Sequence, residues 1–407
     1  MTTAQATLAV ALCLVLLPRA GPARRRTDPG RLGPRDRGRT AGTAGVSWNI
    51  VPGERPYTVP VPKLQDDIER ICRLGLDSRT LRSRVMARLR RDVRYDAFCF
   101  GTVDPWTLLV TDDVSEGIPP GNAALASHNE YLESDVDKFA DLARSGRTVG
   151  ILSDSTGGDP RRSRRFRTVL PVIGAEHELR AVFLADGECW GAVSLFRRGE
   201  RTDFTARDAA LVRALSRPVA VALRRACAGT PPPAAQGVPG PGVLVLDRLG
   251  RTLVANETAR RWLHELGTLP LHEVAAAARA GRGEEAYLRV RARTGRWLSL
   301  WGSTLNGEPD SGASVVIQPT PASDITRTLA RVYELTVRER EILEQVVSGR
   351  SSTGIASVLA MSRYTVQDHL KSIFTKFGVS SRGQLVARAL DLPSGSPAAA
   401  HTPESAP

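Results

Sequence analysis

Arg363, Gln367, Asp368 and Lys371 lie at offsets 0, 4, 5 and 8 and so share one side of any helix that runs through them. Between them they offer a guanidinium, an amide, a carboxylate and an ammonium group. These are the groups that read base edges: Gln pairs with adenine through two hydrogen bonds, Asp accepts from the cytosine amino group, and Arg or Lys reaches guanine. Ser362, Thr365, Lys376 and Arg382 flank the set and are of the types that hold phosphate oxygens.

The elements that must position these residues are legible around them. Thr336 with Glu339 three residues on is a capping box and opens a helix, with Ile342, Leu343, Val346 and Val347 as its apolar stripe. Gly349 sits where a helix-ending glycine belongs. A short helix is expected over 352–359, with Ile355, Ala356 and Leu359 inward. Ala360-Met361-Ser362 makes a tight turn, and Ser362 caps the next helix, Arg363–Phe377. In that helix Val366, Leu370, Ile373, Phe374 and Phe377 fall on one face, and Tyr364, Gln367, Asp368 and Lys371 on the opposite one. Gly378 ends it, and a fourth helix over 381–390 closes the bundle. Two helices joined by a three-residue turn fit a helix-turn-helix, whose second helix enters the major groove of double-stranded DNA. The competing reading of the same pattern is a structural four-helix bundle with a merely solvated outer face. His369 flanks the apolar face and reads as a packing residue.

The run LTVREREIL…IASVLAMSRYTVQDHLKSIFTKFGVSSRGQLV resembles the LuxR-type (GerE-like) DNA-binding domain, over about 60 residues whose submotifs keep their mutual spacing. The resemblance implies DNA contact near Gln367, Asp368 and Lys371, and dimeric binding. Gly354 stands where that family usually has Glu, Ala360 where its turn often has Gly, and Gln367 where it usually has Lys.

Upstream, 407 residues leave room for further domains. Helices are expected over 63–76 and 79–91, strands over 97–103 and 106–110 around Asp104-Pro105, and a helix over 128–145. Strands over 179–184 and 190–196 flank Asp186-Gly187, a strong hairpin signal. A long helix over 205–226 breaks near Pro218. Strands over 243–246 and 252–255, a helix over 257–266, strands over 287–293 and 297–303, and a last strand over 315–318 follow. With CWGAVSLFRR and FTARDAALVRAL, residues 63–228 resemble a GAF domain; from GVLVLDRLGRTLVANETARRWL, residues 243–318 resemble a PAS domain. The fold class expected is therefore a multidomain α+β chain: GAF-like and PAS-like α/β sensor domains, a Pro/Gly linker over 229–242, and an all-α four-helix LuxR-type domain over 331–390.

Net charge is +13, yet eight arginines between Arg19 and Arg39 face only Asp28 and Asp36, so charge alone is a poor argument for a nucleic-acid partner. Residues 1–45 read as a disordered basic extension and 391–407 as a disordered tail. The apolar run Leu8–Leu17 has its arginines after it, the reverse of a secretory signal, and is too short to span a bilayer. Five cysteines without a CxxC pair fit a reducing cytosol. No GxSxG, HExxH, GxGxxG after a strand or Walker loop is present, so an enzyme is not expected. Nor is a haem, flavin or bilin attachment motif, and His128, His177, His264 and His272 lack ligand spacing; no cofactor and no metal is expected. The expected partners are double-stranded DNA, a second copy of the chain, a small-molecule signal in one sensor domain and RNA polymerase. The alternative is a ligand- or partner-binding sensor with little direct DNA affinity.

Overall fold

A computed structural model describes residues 61–199, 201–229, 240–281, 284–305 and 311–390. Expectations for 1–45, for most of 229–242 and for 391–407 lie outside the described residues. Helices α1 (Val61–Cys72) and α2 (Ser78–Leu89) precede strands β1 (Ala97–Val103) and β2 (Val110–Glu116). Helices α3 (Ala123–Leu132) and α4 (Phe139–Ser145), strand β3 (Val149–Ile151) and short helices α5 (Leu152–Ser155), α6 (Arg164–Thr168) and α7 (Leu170–Ile173) follow. Strands β4 (His177–Ala185) and β5 (Glu188–Arg197) lead into α8 (Ala206–Ala214) and α9 (Ser216–Ala228). The strands form one antiparallel sheet in the order β2-β1-β5-β4-β3. Asp186 and Gly187 both have positive φ, as a two-residue hairpin turn requires. Strands β4 and β5 are buried almost without a break because both faces are covered. Ile68, Leu81, Leu89, Phe100 and Leu223 pack one side, while Leu142, Val182 and Ala192 pack the other.

The second sheet comprises β6 (Gly242–Leu246), β7 (Thr252–Ala255), β8 (Ala286–Arg291), β9 (Trp297–Thr304) and β10 (Ala313–Pro319), with α10 (Glu257–Leu266) and α11 (Leu269–Ala280) between β7 and β8. Its order, β7-β6-β10-β9-β8, repeats that of the first sheet, again antiparallel. Helices α12 (Ala322–Val332), α13 (Val337–Val347), α14 (Ser352–Val358), α15 (Arg363–Phe377) and α16 (Arg382–Ala389) complete the chain. Two antiparallel α/β sheets followed by a helical domain is the fold class expected. Among the described residues no helix is long and apolar enough to cross a membrane.

Three expectations are corrected. No strand spans 106–110: Asp104 accepts from the Trp106 amide (2.9 Å) and the strand starts at Val110. This strand lies at the sheet edge with the acidic sequence VTDDVSE, which carries little apolar alternation. The helix expected over 128–145 is two, because the intervening acids anchor arginines elsewhere: Asp135 accepts from the Arg165 amide (2.6 Å) and Asp137 pairs with Arg147. Finally, α12 adds a fifth helix to the C-terminal bundle, with Ile325, Leu329 and Ala330 in the same core as Ile342 and Phe377.

Helix α11 is shared between the two sheets. Leu271 and Val274 pack on the second sheet, while Glu273, 4 % exposed, turns toward the first. Its carboxylate accepts from Ser127 Oγ (2.6 Å), the Val110 amide (3.0 Å) and the Tyr131 hydroxyl. Burial pushes the carboxyl up to about 7, against the downward pull of these bonds. A raised carboxyl favours the fold fully below the unfolded value, near 4.5, and that contribution is lost as pH rises through about 7. Urea unfolding of the wild type and Glu273→Gln at stepped pH should therefore show the wild type losing ground to the variant as pH rises from about 4.5 to 7. Parallel curves would refute the buried neutral carboxyl.

Candidate nucleic-acid interface

The exposed face of α15 is set by what holds its other face. Val366, Leu370, Ile373 and Phe377 are buried against Ile342, Leu343 and Ile355. Glu339 adds a polar lock. It is the third residue of α13 and completes a capping box with Thr336. Its carboxylate also accepts from Ser372 Oγ (2.6 Å) and Lys376 Nζ (2.6 Å), both on α15. Burial would raise this carboxyl, but the bonds from Lys376, Ser372 and Thr336 outweigh it and hold it down at about 2. One side chain thus caps the first helix and fixes the rotation of α15.

Between α14 and α15 the chain turns through Leu359, Ala360 and Met361. The Met361 amide donates to the Ala356 carbonyl (2.9 Å), and Ser362 Oγ accepts from the Thr365 amide (3.0 Å) to cap α15. Ala360 has φ +51°, a left-handed conformation that a residue with a Cβ adopts at a cost. Gly378, with φ +65°, closes the far end of α15.

The polar set emerges as a group. Arg363, Gln367, Asp368 and Lys371 are all exposed on α15, as are Ser362 and Thr365 at its start. Lys371 Nζ lies 3.2 Å from Asp368 Oδ1 in a pair open to solvent, with 78 % and 75 % of the two side chains accessible. Such a pair is worth little and opens readily toward another partner. Tyr364, 81 % exposed, projects beside them; the sequence places it on this polar face but not among the contact residues. An exposed tyrosine at the start of this helix was the signal that could have marked it. Lys376 and Arg382 are placed differently. Lys376 is committed to Glu339 and to the Glu334 carbonyl (3.0 Å). Arg382 donates to the carbonyls of Val346 (3.4 Å) and Arg350 at the end of α13.

Two residues of this domain are locally unfavourable, and each has a ready remedy. Gly354 is the third residue of α14, whose cap, Ser351, accepts from the Gly354 amide (3.2 Å). A Cβ there would meet Ser351 Oγ at 3.5 Å and Arg350 Cβ at 3.9 Å, both ordinary contacts. Gly354→Glu removes a helical glycine and completes a capping box, for a gain of about 1 kcal/mol. Ala360→Gly removes left-handed strain but loosens the unfolded chain, for a net gain of up to ~1 kcal/mol. Thermal and urea unfolding check both; a loss of stability in either variant would contradict the geometry of its turn or cap.

Residues 333–389 match the family described as bacterial regulatory proteins, luxR family. The spore germination protein GerE of Bacillus subtilis (strain 168) is 41 % identical over 56 residues, covering 14 % of this chain and 76 % of that protein. The probable transcriptional regulatory protein SgaR of Hyphomicrobium methylovorum is 45 % identical over 53 residues, covering 13 % of this chain and 25 % of that one. The probable transcriptional regulatory protein NarL of Mycobacterium tuberculosis (strain CDC 1551 / Oshkosh) is 39 % identical over 56 residues, covering 14 % and 26 %. The chain thus spans about a quarter of the length of the last two relatives. Among solved structures, Escherichia coli SdiA aligns with a TM-score of 0.32 at 12 % identity, over 81 % of this chain and 96 % of that one. A phycoerythrobilin-bound GAF domain from a cyanobacterial phytochrome aligns with a TM-score of 0.28 at 15 % identity, over 41 % of this chain and 95 % of that one. The match to most of GerE, on the residues that build α13 to α16, carries the assignment: this chain belongs to the luxR family of bacterial regulatory proteins.

Proposed function

We propose that the chain is a DNA-binding transcription regulator in which α15 enters the major groove. The observation that carries this reading is the grouping of Arg363, Gln367, Asp368 and Lys371 on the solvent face of a helix whose other face is locked into a core. Its first turns follow a tight turn after α14, the arrangement that lets a second helix present its N-terminal residues to base edges. Gln367 suits adenine, Arg363 and Lys371 suit guanine, and Asp368 suits the cytosine amino group once Lys371 turns away from it.

Ser362 and Thr365 stand at the helix start, where a phosphate oxygen also meets the positive end of the helix. Lys376 and Arg382 spend part of their donors inside the domain, so their share of phosphate binding is the smaller. Two copies bind as a homodimer to a two-fold site, since one short helix reads too few bases for specificity. The two sheet domains serve as sensors. A small-molecule signal that favours one arrangement of the chain shifts the population able to bind. The chain acts in the cytoplasm, without enzymatic activity of its own, and RNA polymerase is the partner through which a bound dimer changes transcription.

The test is selection of genomic fragments by the full chain across a salt series. The selected site should lose affinity by about a decade per decade of salt for each phosphate contacted. Gln367→Ala and Lys371→Ala should each cost about 1–3 kcal/mol on that site and relax its sequence. Absence of salt-dependent binding, or binding indifferent to both substitutions, would leave a sensor with little DNA affinity as the better description.

A further inference from the structure

A cavity of about 680 Å³ opens between the two sheet domains and α12, and no residue of α15 lines it. Its walls come from the start of α2, the end of β1, the start of β2, Trp190 on β5, the ends of α9 and α10, β8 with its turn, Trp297 on β9 and Thr328 on α12. Most of the polar groups on these walls already have partners. Asp77 accepts from the amides of Arg79 and Thr80, both at 3.0 Å. Asp104 holds Arg289 at 3.1 Å, and Asp112 holds Arg79 at 3.0 Å together with Arg82. Glu265 accepts from Thr294 Oγ1 at 2.6 Å. Every carboxylate of the cavity is therefore answered from within the protein.

The donors are not. Trp190 and Trp297 both line the cavity, at 2 % and 7 % exposure, and the indole N–H of each is buried without an acceptor. Buried donors are nearly always paired, so two unpaired ones beside one cavity mark walls that are not fully satisfied from within. Arg293, at the β8–β9 turn, is exposed and has no carboxylate partner among the described residues. Trp106, on the same wall, presents a ring stacked on the Arg289 guanidinium at 3.8 Å. The cleft thus offers one guanidinium without a carboxylate partner among the described residues, next to flat apolar surface.

We propose that this cleft binds a flat, apolar small molecule bearing a carboxylate, its acid end toward Arg293 and its ring among the tryptophans. The site lies between the sheets rather than inside either one. Its floor includes Thr328, whose Oγ1 accepts from Arg289 Nη1 at 3.3 Å. The same helix, α12, is packed into the C-terminal core through Ile325 and Leu329. Occupancy is thereby felt by the helices that carry α15; this coupling, unlike the binding itself, rests on the function proposed above.

The test is calorimetric titration of the full chain with 1-naphthoate, with neutral 1-naphthalenemethanol as the size-matched control. Arg293→Glu and Arg293→Lys are compared, and circular dichroism confirms that both remain folded. Naphthoate should bind saturably to the wild type and to Arg293→Lys. It should bind about tenfold or more weakly to Arg293→Glu, and the alcohol should be similarly weak on the wild type, the loss expected for one charge-assisted bond. No saturable binding, or equal binding of acid and alcohol by all three proteins, overturns the proposal. DNA affinity is then measured with and without 1-naphthoate. A change supports the coupling; no change removes the coupling and leaves the site. A chain that binds no DNA at all defeats the function proposed above without altering the calorimetric result.

Discussion

Arg289 is the point on which the arrangement of the sheets and α12 depends. It is 8 % exposed, on β8 of the second sheet, and it pairs with Asp104 at the end of β1 in the first. It also donates to Thr328 of α12 and lies 3.8 Å over the ring of Trp106. Arg331 of α12 approaches the same ring at 4.4 Å and pairs with Glu188 on β5. Taking a guanidinium and a carboxylate out of water is expensive, and the pair is tolerated only because each charge has several partners. Removing Asp104 alone would strand the guanidinium, a loss on the order of 3–5 kcal/mol. The two sheets and α12 therefore cannot part at this point without exposing or abandoning a charge.

The C-terminal helices use the same device in miniature. Glu339 is 3 % exposed and answers donors from its own cap and from α15. Apolar packing alone fixes which face of α15 is buried, but a face of Val366, Leu370, Ile373 and Phe377 allows some rotation about the helix axis. Three directional bonds to one carboxylate do not. The precision with which Gln367 and Lys371 are aimed is set on the opposite side of the helix, by a residue that touches neither.

Where one side of an element faces solvent, its period was visible in the chain. Helices α10 and α15 fall on the residues expected, and the Asp186-Gly187 hairpin was legible because positive φ at both positions leaves few residues to choose from. Helix α11 was not legible. It is rich in alanine and buried on two sides, so its pattern carries no amphipathic period. Strand β2 was displaced because its acids face Arg79, Arg82 and Arg90, partners that only the fold brings near. The exposed residues of the interface could be read from type and spacing. The places of Lys376 and Arg382 could not, since a basic residue near a recognition helix looks the same whether it faces phosphate or a buried carboxylate 37 positions away. The tryptophans of the cleft are a third case: the missing acceptors of Trp190 and Trp297 become visible only when the walls are assembled.

The exposure of α15 constrains how any signal could act. Lys371 and Asp368 are open, Tyr364 is 81 % accessible, and among the described residues nothing covers the polar face. Among the described residues, a signal that merely uncovered this helix would have nothing to remove. If α15 reads DNA as one of the proposed pair, a signal can act through the relation between the two copies, because a two-fold site accepts two recognition helices only at one spacing and orientation. The element that joins the two parts is α12, which belongs to the C-terminal core through Leu329 and to the sheet junction through Thr328 and Arg331. A small shift at the junction moves a rigid helix, and a rigid helix carries the shift to the bundle. A ligand with no preference between the two placements of α12 would shift nothing, however tightly it bound. The junction around Arg289 is thus where differential binding can be converted into a change of spacing, and the adjoining cleft is the place where a ligand would meet it.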